Sequence, residues 1–129
     1  MLEDYIKELE QDLKIDELHL KDYQLRLPAL KHKWSGRLIR LKSSLQRDRK
    51  EKETLKNDII SEINATSPIK LTQPALASTA DRHSKIQAFN DKIKETELLI
   101  DLLEKSEKIL SSMTFDIKNV IEIMRLELT

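Results

Sequence analysis

The sequence has no cysteine, one glycine, three prolines and, in one Trp, two Tyr and two Phe, few aromatics among its 129 residues. Without thiols there is no disulfide framework and no thiol nucleophile, which fits a reducing compartment. A lone glycine leaves no Gly-rich loop to cradle a phosphate, so P-loop and dinucleotide sites are excluded. So little Gly and Pro, beside abundant Leu, Ile, Lys, Glu and Asp, is the composition of long helices rather than of sheets and turns. Aromatics make up 4% and all hydrophobics 39%, a thin supply for a closed core, and helical chains of this kind complete their cores by association. No apolar run approaches the length of a bilayer span, and the acidic start Met1-Leu2-Glu3-Asp4 has no apolar segment behind it. Neither a membrane partner nor a signal peptide is expected. The length fits one soluble, intracellular domain over 1–129.

Charge is plentiful and unevenly placed. Residues 1–20 hold seven acids and two lysines, residues 21–56 hold twelve Lys/Arg and four acids, and residues 57–129 hold twelve acids and nine Lys/Arg. The local balance is therefore −5, then +8, then −3 inside a chain of zero net charge. A basic centre between acidic flanks points to a polyanionic partner for one region.

The apolar pattern predicts helices throughout. Leu2, Ile6, Leu9 and Leu13 give a short amphipathic helix with Glu3 and Asp4 in its first turn, where the helix dipole favours acids. Asp16 is a candidate cap for a second helix, and Pro28 predicts a break, a kink or a first-turn position. From about Ala29 to Asn64, the residues Trp34, Leu38, Leu41, Leu45, Leu55 and Ile59 keep a 4–3 register, with Asp48 and Lys52 in the two intermediate places. The stretch 46–54 has no apolar residue, so a long helix exposed in its middle is expected. Residues 65–84, rich in Ser, Thr, Pro and Ala, read as a variable, partly disordered loop in which Ile69, Leu71 and Leu76 either pin the chain or form a short strand-like piece. Two C-terminal helices follow, over 86–113 and 115–128, with Ser112 or Thr114 capping the second. Leu99, Leu103, Ile109, Phe115, Ile117, Ile121 and Met124 are expected to close the subunit or its contacts with other copies.

No catalytic constellation is present. His19, His32 and His83 lack partners at metal-ligand spacing, and the carboxylates sit among Lys and Arg on helix faces. No enzyme activity, cofactor or metal is expected. The functional candidate is the basic run of Lys31, Lys33, Arg37, Arg40 and Lys42, continued by Arg47, Arg49, Lys50, Lys52 and Lys56. A helix presents such long cationic side chains every turn, as phosphate binding requires. A solvated coiled-coil surface is also rich in Lys and Arg, but it interleaves acids, and residues 29–47 contain none. Trp34 is placed either to stack on a base or, from its seam position, to fill the core.

The opening Leu2-Glu3-Asp4, Glu8-Leu9, Asp12 and Ile15-Asp16 resembles the start of the UvsY family of phage recombination mediators. Lys33-Trp34 opening a basic helix and Phe115-x-Ile117-Lys118 near the C-terminus extend the resemblance over nearly the whole chain. It implies an all-α, elongated subunit with a long basic helix and two C-terminal helices, assembling into a ring-like homo-oligomer. It further implies single-stranded DNA binding, and help in loading a phage RecA-like recombinase onto strand coated by the phage single-strand-binding protein, in the cytoplasm of the infected bacterium. The family binds DNA around a Leu-Lys-x-Arg-Leu stretch, which best matches Leu55-Lys56-Asn57-Asp58-Ile59. Only Lys56 carries over, which moves the expected contact upstream to Arg47, Arg49, Lys50 and Lys52. The rival readings are a helical oligomerisation scaffold without nucleic acid, or a protein-only adaptor whose basic helix docks an acidic partner.

Overall fold

The computed structural model describes residues 1–128, and among them every regular element is helical. Helix α1 (Leu2–Asp12) leads through a 3-10 turn (Glu17–His19) into α2 (Leu20–Thr66), followed by α3 (Gln73–Asp81) and α4 (Ser84–Leu128). The chain forms two compact units, one of Met1–Arg40 with the chain from Leu98 onward, the other of Leu41–Glu97.

In the first unit the period of the apolar residues decides the packing. Leu20, Tyr23, Leu27, Leu30, Trp34 and Leu38 of α2 are buried, as are Leu99, Leu103, Leu110, Met113 and Ile117 of α4 and Leu9 of α1. Three- and four-residue steps bring such side chains to one helix face. Each large side chain so buried contributes about 1.5–3 kcal/mol. The polar member of the α4 stripe, Ser106, returns its hydroxyl to the Leu102 carbonyl at 2.8 Å and is thereby satisfied. Tyr23 donates its hydroxyl to the Asp12 carbonyl and lies 3.7 Å from the Met113 sulfur, tying α1, α2 and α4 together. Asp16 caps the 3-10 turn, accepting from the Leu18 N–H at 3.0 Å and contacting His19 Nδ1 at 2.7 Å.

The structure narrows one sequence expectation in this unit and overturns another. Of the readings of Pro28, the break and the first-turn position are excluded: it lies inside α2 without ending it, because the flanking Leu27 and Leu30 are buried on the helical face and hold that turn in place. The two expected C-terminal helices are one: α4 runs unbroken through Ser112 and Thr114. The buried Leu110, Met113 and Ile117 keep a 3–4 spacing across the expected break, and packing along one stripe outweighs two modest capping cues. The stripe then continues at spacings of four, three and four through Ile121, Met124 and Leu128, which are 41%, 40% and 87% exposed. Of the residues expected to be core or oligomer contacts, Leu99, Leu103 and Ile117 are therefore core, while Ile109, Phe115, Ile121 and Met124 face outward in the single chain.

In the second unit, Ile59 of α2, Ala80 of α3 and Ile86 of α4 form a cluster, with Leu55, Ile60 and Ile63 packed against it. The segment 65–84 is not the expected loop. Helix α2 extends to Thr66, and α3 begins after Thr72, whose side chain caps the Ala75 N–H at 3.4 Å with a proline in the first turn. A Thr cap followed by Pro is a helix start, and Leu76 and Ala80 give it a buried side. The polar stretch 46–54 is likewise not exposed throughout. Asp48 is 1% exposed. Its Oδ1 meets Lys92 Nζ at 3.2 Å, and its Oδ2 has no protein partner.

Candidate nucleic-acid interface

In the second unit, 3.6 residues per turn sort the cations of α2 into two groups. Leu41, Leu45, Asp48 and Ile59 mark its buried side. Close to that side lie Arg49, which meets Glu97 at 3.0 Å, and Lys56, which meets Asp81 at 3.0 Å. Lys52 holds a register position and is half-buried, and Lys42 is exposed yet engaged. Turned away from the buried side are Ser43, Arg47, Lys50 and Thr54, again at spacings of four, three and four. Arg47 makes only a 3.4 Å contact with the Ser44 hydroxyl, and Lys50 Nζ has no protein partner among the described residues. Shallow depressions along this outward face are lined by Ser43, Gln46, Arg47, Arg49 and Lys50 and, one turn on, by Glu51, Thr54, Leu55 and Asp58. Such a strip offers long cations and short hydroxyl and amide groups, the donors that phosphate oxygens accept. The exposed Arg49–Glu97 pair, 57% and 48% open to solvent, is worth at most about 1 kcal/mol and leaves Arg49 able to exchange partners.

The basic residues of the first unit are differently disposed. Lys33 Nζ lies 3.0 Å from Glu8 and 2.5 Å from Asp12, and Arg37 Nη1 lies 2.6 Å from Glu8. The hydrogen bond from Arg37, then that from Lys33, holds the Glu8 carboxyl down from 4.5 to about 2. Arg37 is correspondingly raised, first by its bond to Glu8. Burial opposes the charge of Lys33, but Asp12 and Glu8 outweigh it and raise its pKa. Trp34 is fully buried, donates Nε1–H to Asp12 at 2.9 Å, and meets the Tyr5 ring edge-on at 5.9 Å between centroids. Lys33 and Arg37 sit 5.0 and 4.7 Å from its ring. Trp34 thus has no face open to a base, which corrects the stacking role, and Lys33 and Arg37 are occupied with holding α1. Lys31 approaches Thr114 at 3.5 Å, and Arg40 is exposed.

Sequence reasoning missed Ser43, Gln46 and Thr54, although their spacing from Arg47 and Lys50 places them on the same face. It also missed Glu8 and Asp12 as the counter-charges of Lys33 and Arg37. That pairing spans 21 to 29 residues of chain, and no local pattern announces it. Among the described residues no group of His, Asp and Glu is placed to hold a metal, and no helix is long and apolar enough to cross a membrane.

The class so defined is an all-helical chain, strand-free among its described residues, whose longest helix turns outward two cations, Arg47 and Lys50, that form no ion pair among those residues. The family model described as "Recombination, repair and ssDNA binding protein UvsY" matches residues 8–128. The chain belongs to the UvsY family of phage proteins. Recombination and single-stranded DNA binding are thus its family-level functions. Crystal structures of the bacteriophage T4 recombination mediator protein UvsY share the fold. One superimposes with a TM-score of 0.86 at 17% identity, covering 98% of each chain. In another lattice the TM-score is 0.83 at 17% identity, covering 100% of this chain and 98% of that one. A third gives 0.81 at 15% identity over 96% and 98%. No curated protein matches the chain in sequence.

Proposed function

We propose that this chain is a non-catalytic recombination mediator. It binds single-stranded DNA as a ring-like homo-oligomer and helps a phage RecA-like recombinase onto strand coated by the phage single-strand-binding protein, in the cytoplasm of the infected host. The observation that carries the reading is the outward strip of α2 on which Arg47 and Lys50, among the described residues, form no ion pair, although Glu51 and Asp58 line the same depression. Cations already paired to protein acids gain little from a phosphate, whereas unpaired ones gain the full release of counter-ions. Repeating one weak strip around an assembly multiplies linked contacts, and avidity then raises affinity by orders of magnitude. A strand held by several subunits is bent away from the path it takes under the coating protein, which opens it to the recombinase.

The test is fluorescence anisotropy of a labelled oligo-dT titrated with the protein at several salt concentrations. Binding should weaken steeply with salt and prefer single over double strands. The variant Arg47→Ala/Lys50→Ala removes two charges, so its log–log salt slope should fall by roughly 1.4 per engaged subunit, at about 0.7 per phosphate. Unchanged affinity and slope in a variant that still assembles would refute this strip as the contact. Absence of binding at low salt would refute the mediator reading and leave a scaffold or adaptor.

A further inference from the structure

Four of the five aromatic rings are explained by packing. Trp34 and Tyr23 are buried, Tyr5 is half-buried against Trp34, and Phe89 is half-buried in the second unit. Phe115 is not: it is 69% exposed. It lies two residues from both Met113 and Ile117, about 200° around the helix from each. Since those two are 4% and 0% exposed, Phe115 points away from the buried stripe of α4. It is also off the Ile117, Ile121, Met124, Leu128 line along which that stripe continues.

What surrounds Phe115 is polar. Ser111, Lys118 and Asn119 lie one turn away on its face, all exposed. Lys31 Nζ reaches Thr114, its immediate neighbour, at 3.5 Å. The nearby acids are Asp116, held by Ser112 at 3.3 Å, and Glu122 two turns on. An apolar contact with another protein would surround this ring at close range with apolar residues, yet within one turn its face carries none, and the exposed Ile123 and Leu126 come only two and three turns on. A ring set among ammonium and amide groups is instead the arrangement on which a base stacks while its phosphates meet cations.

We propose that Phe115 is a stacking platform for an unpaired base of single-stranded DNA, with Lys31 and Lys118 meeting the flanking phosphates. This rests on the single-strand reading above and adds a second contact to it, within the first unit and separate from the Arg47 and Lys50 strip. Base stacking is tolerant of sequence because every base has a π-face.

The experiment uses the full-length chain with Phe115→Trp and Phe115→Ala. Trp34, being buried, supplies a constant background of emission. Titrating oligo-dT should quench the emission of the indole introduced by Phe115→Trp, and an abasic oligonucleotide of equal length should not. Phe115→Ala should weaken oligo-dT binding roughly five- to hundredfold, the range measured per stacked base, while leaving abasic binding and the sedimentation coefficient unchanged. Retained dT binding with no quenching and no loss in the Ala variant would overturn the platform and leave the single-strand reading intact. A changed sedimentation coefficient in the Ala variant would overturn it in favour of a contact between copies. Failure of the unsubstituted chain to bind oligo-dT would overturn both readings together.

Discussion

Replacing Glu8 with Gln removes one anion from a cluster in which Lys33, Arg37 and the buried Trp34 depend on Glu8 and Asp12. The Glu8 carboxyl stands at about 2 against an ordinary 4.5. At about 1.36 kcal/mol per pH unit that interval corresponds to a ceiling of roughly 3.4 kcal/mol. The side chain is 37% exposed, so solvent screens the pair and a contribution of about 1 kcal/mol is expected. Because the folded-state pKa is depressed, this stability is complete above about 4.5 and is lost as pH falls toward 2. Urea titrations of both proteins, followed by Trp34 emission at one protein concentration, measure it directly. At about pH 6 the Gln variant should be less stable by about 1 kcal/mol, and at about pH 2.5 most of that difference should be gone. An equal difference at the two pH values would refute the assignment, since the loss would then come from packing and not from the charge of Glu8.

Pro28→Ala restores an N–H inside α2 and should raise thermal stability by about 1 kcal/mol or more, as read by the unfolding midpoint. Lys92→Ala strips the buried Asp48 of its counter-charge and should cost about 2 kcal/mol or more. Asp48→Leu, which removes the buried charge itself at a register position, should be neutral or stabilising by about 1 kcal/mol in the same assay. A larger loss from Asp48→Leu than from Lys92→Ala would show that the carboxylate has a second partner on its Oδ2.

The helices with a consistent apolar period were readable: α1 from Leu2, Ile6 and Leu9, and α2 from its 4–3 seam. Local signals misled wherever packing overrode them. Ser112 or Thr114 read as a boundary and Pro28 as a break, a kink or a first-turn position, yet each lies along a buried stripe whose neighbours hold the helix together. For α3 the cue was local and present, in Thr72 followed by Pro74, but the surrounding Ser, Thr and Ala gave too weak a stripe to weigh against a loop. The basic helix was legible as charge, but its division was not. Whether a cation is spent on a carboxylate depends on which acids come opposite it, as Glu8 does for Arg37 and Asp81 for Lys56. The sequence pattern places a residue on a face of its own helix and says nothing of what lies across from it.

The exposed run of Ile121, Met124 and Leu128 bears on what stability means for this chain. Apolar area left open at the end of a folded subunit holds free energy that only a second body can release. Anything covering it adds RT ln(1 + [L]/Kd), a quantity set by how much of the covering partner is present. If the covering body is a second copy of the chain, the unfolding temperature becomes a property of the solution as well as of the sequence, and dilution would act as a mild denaturant.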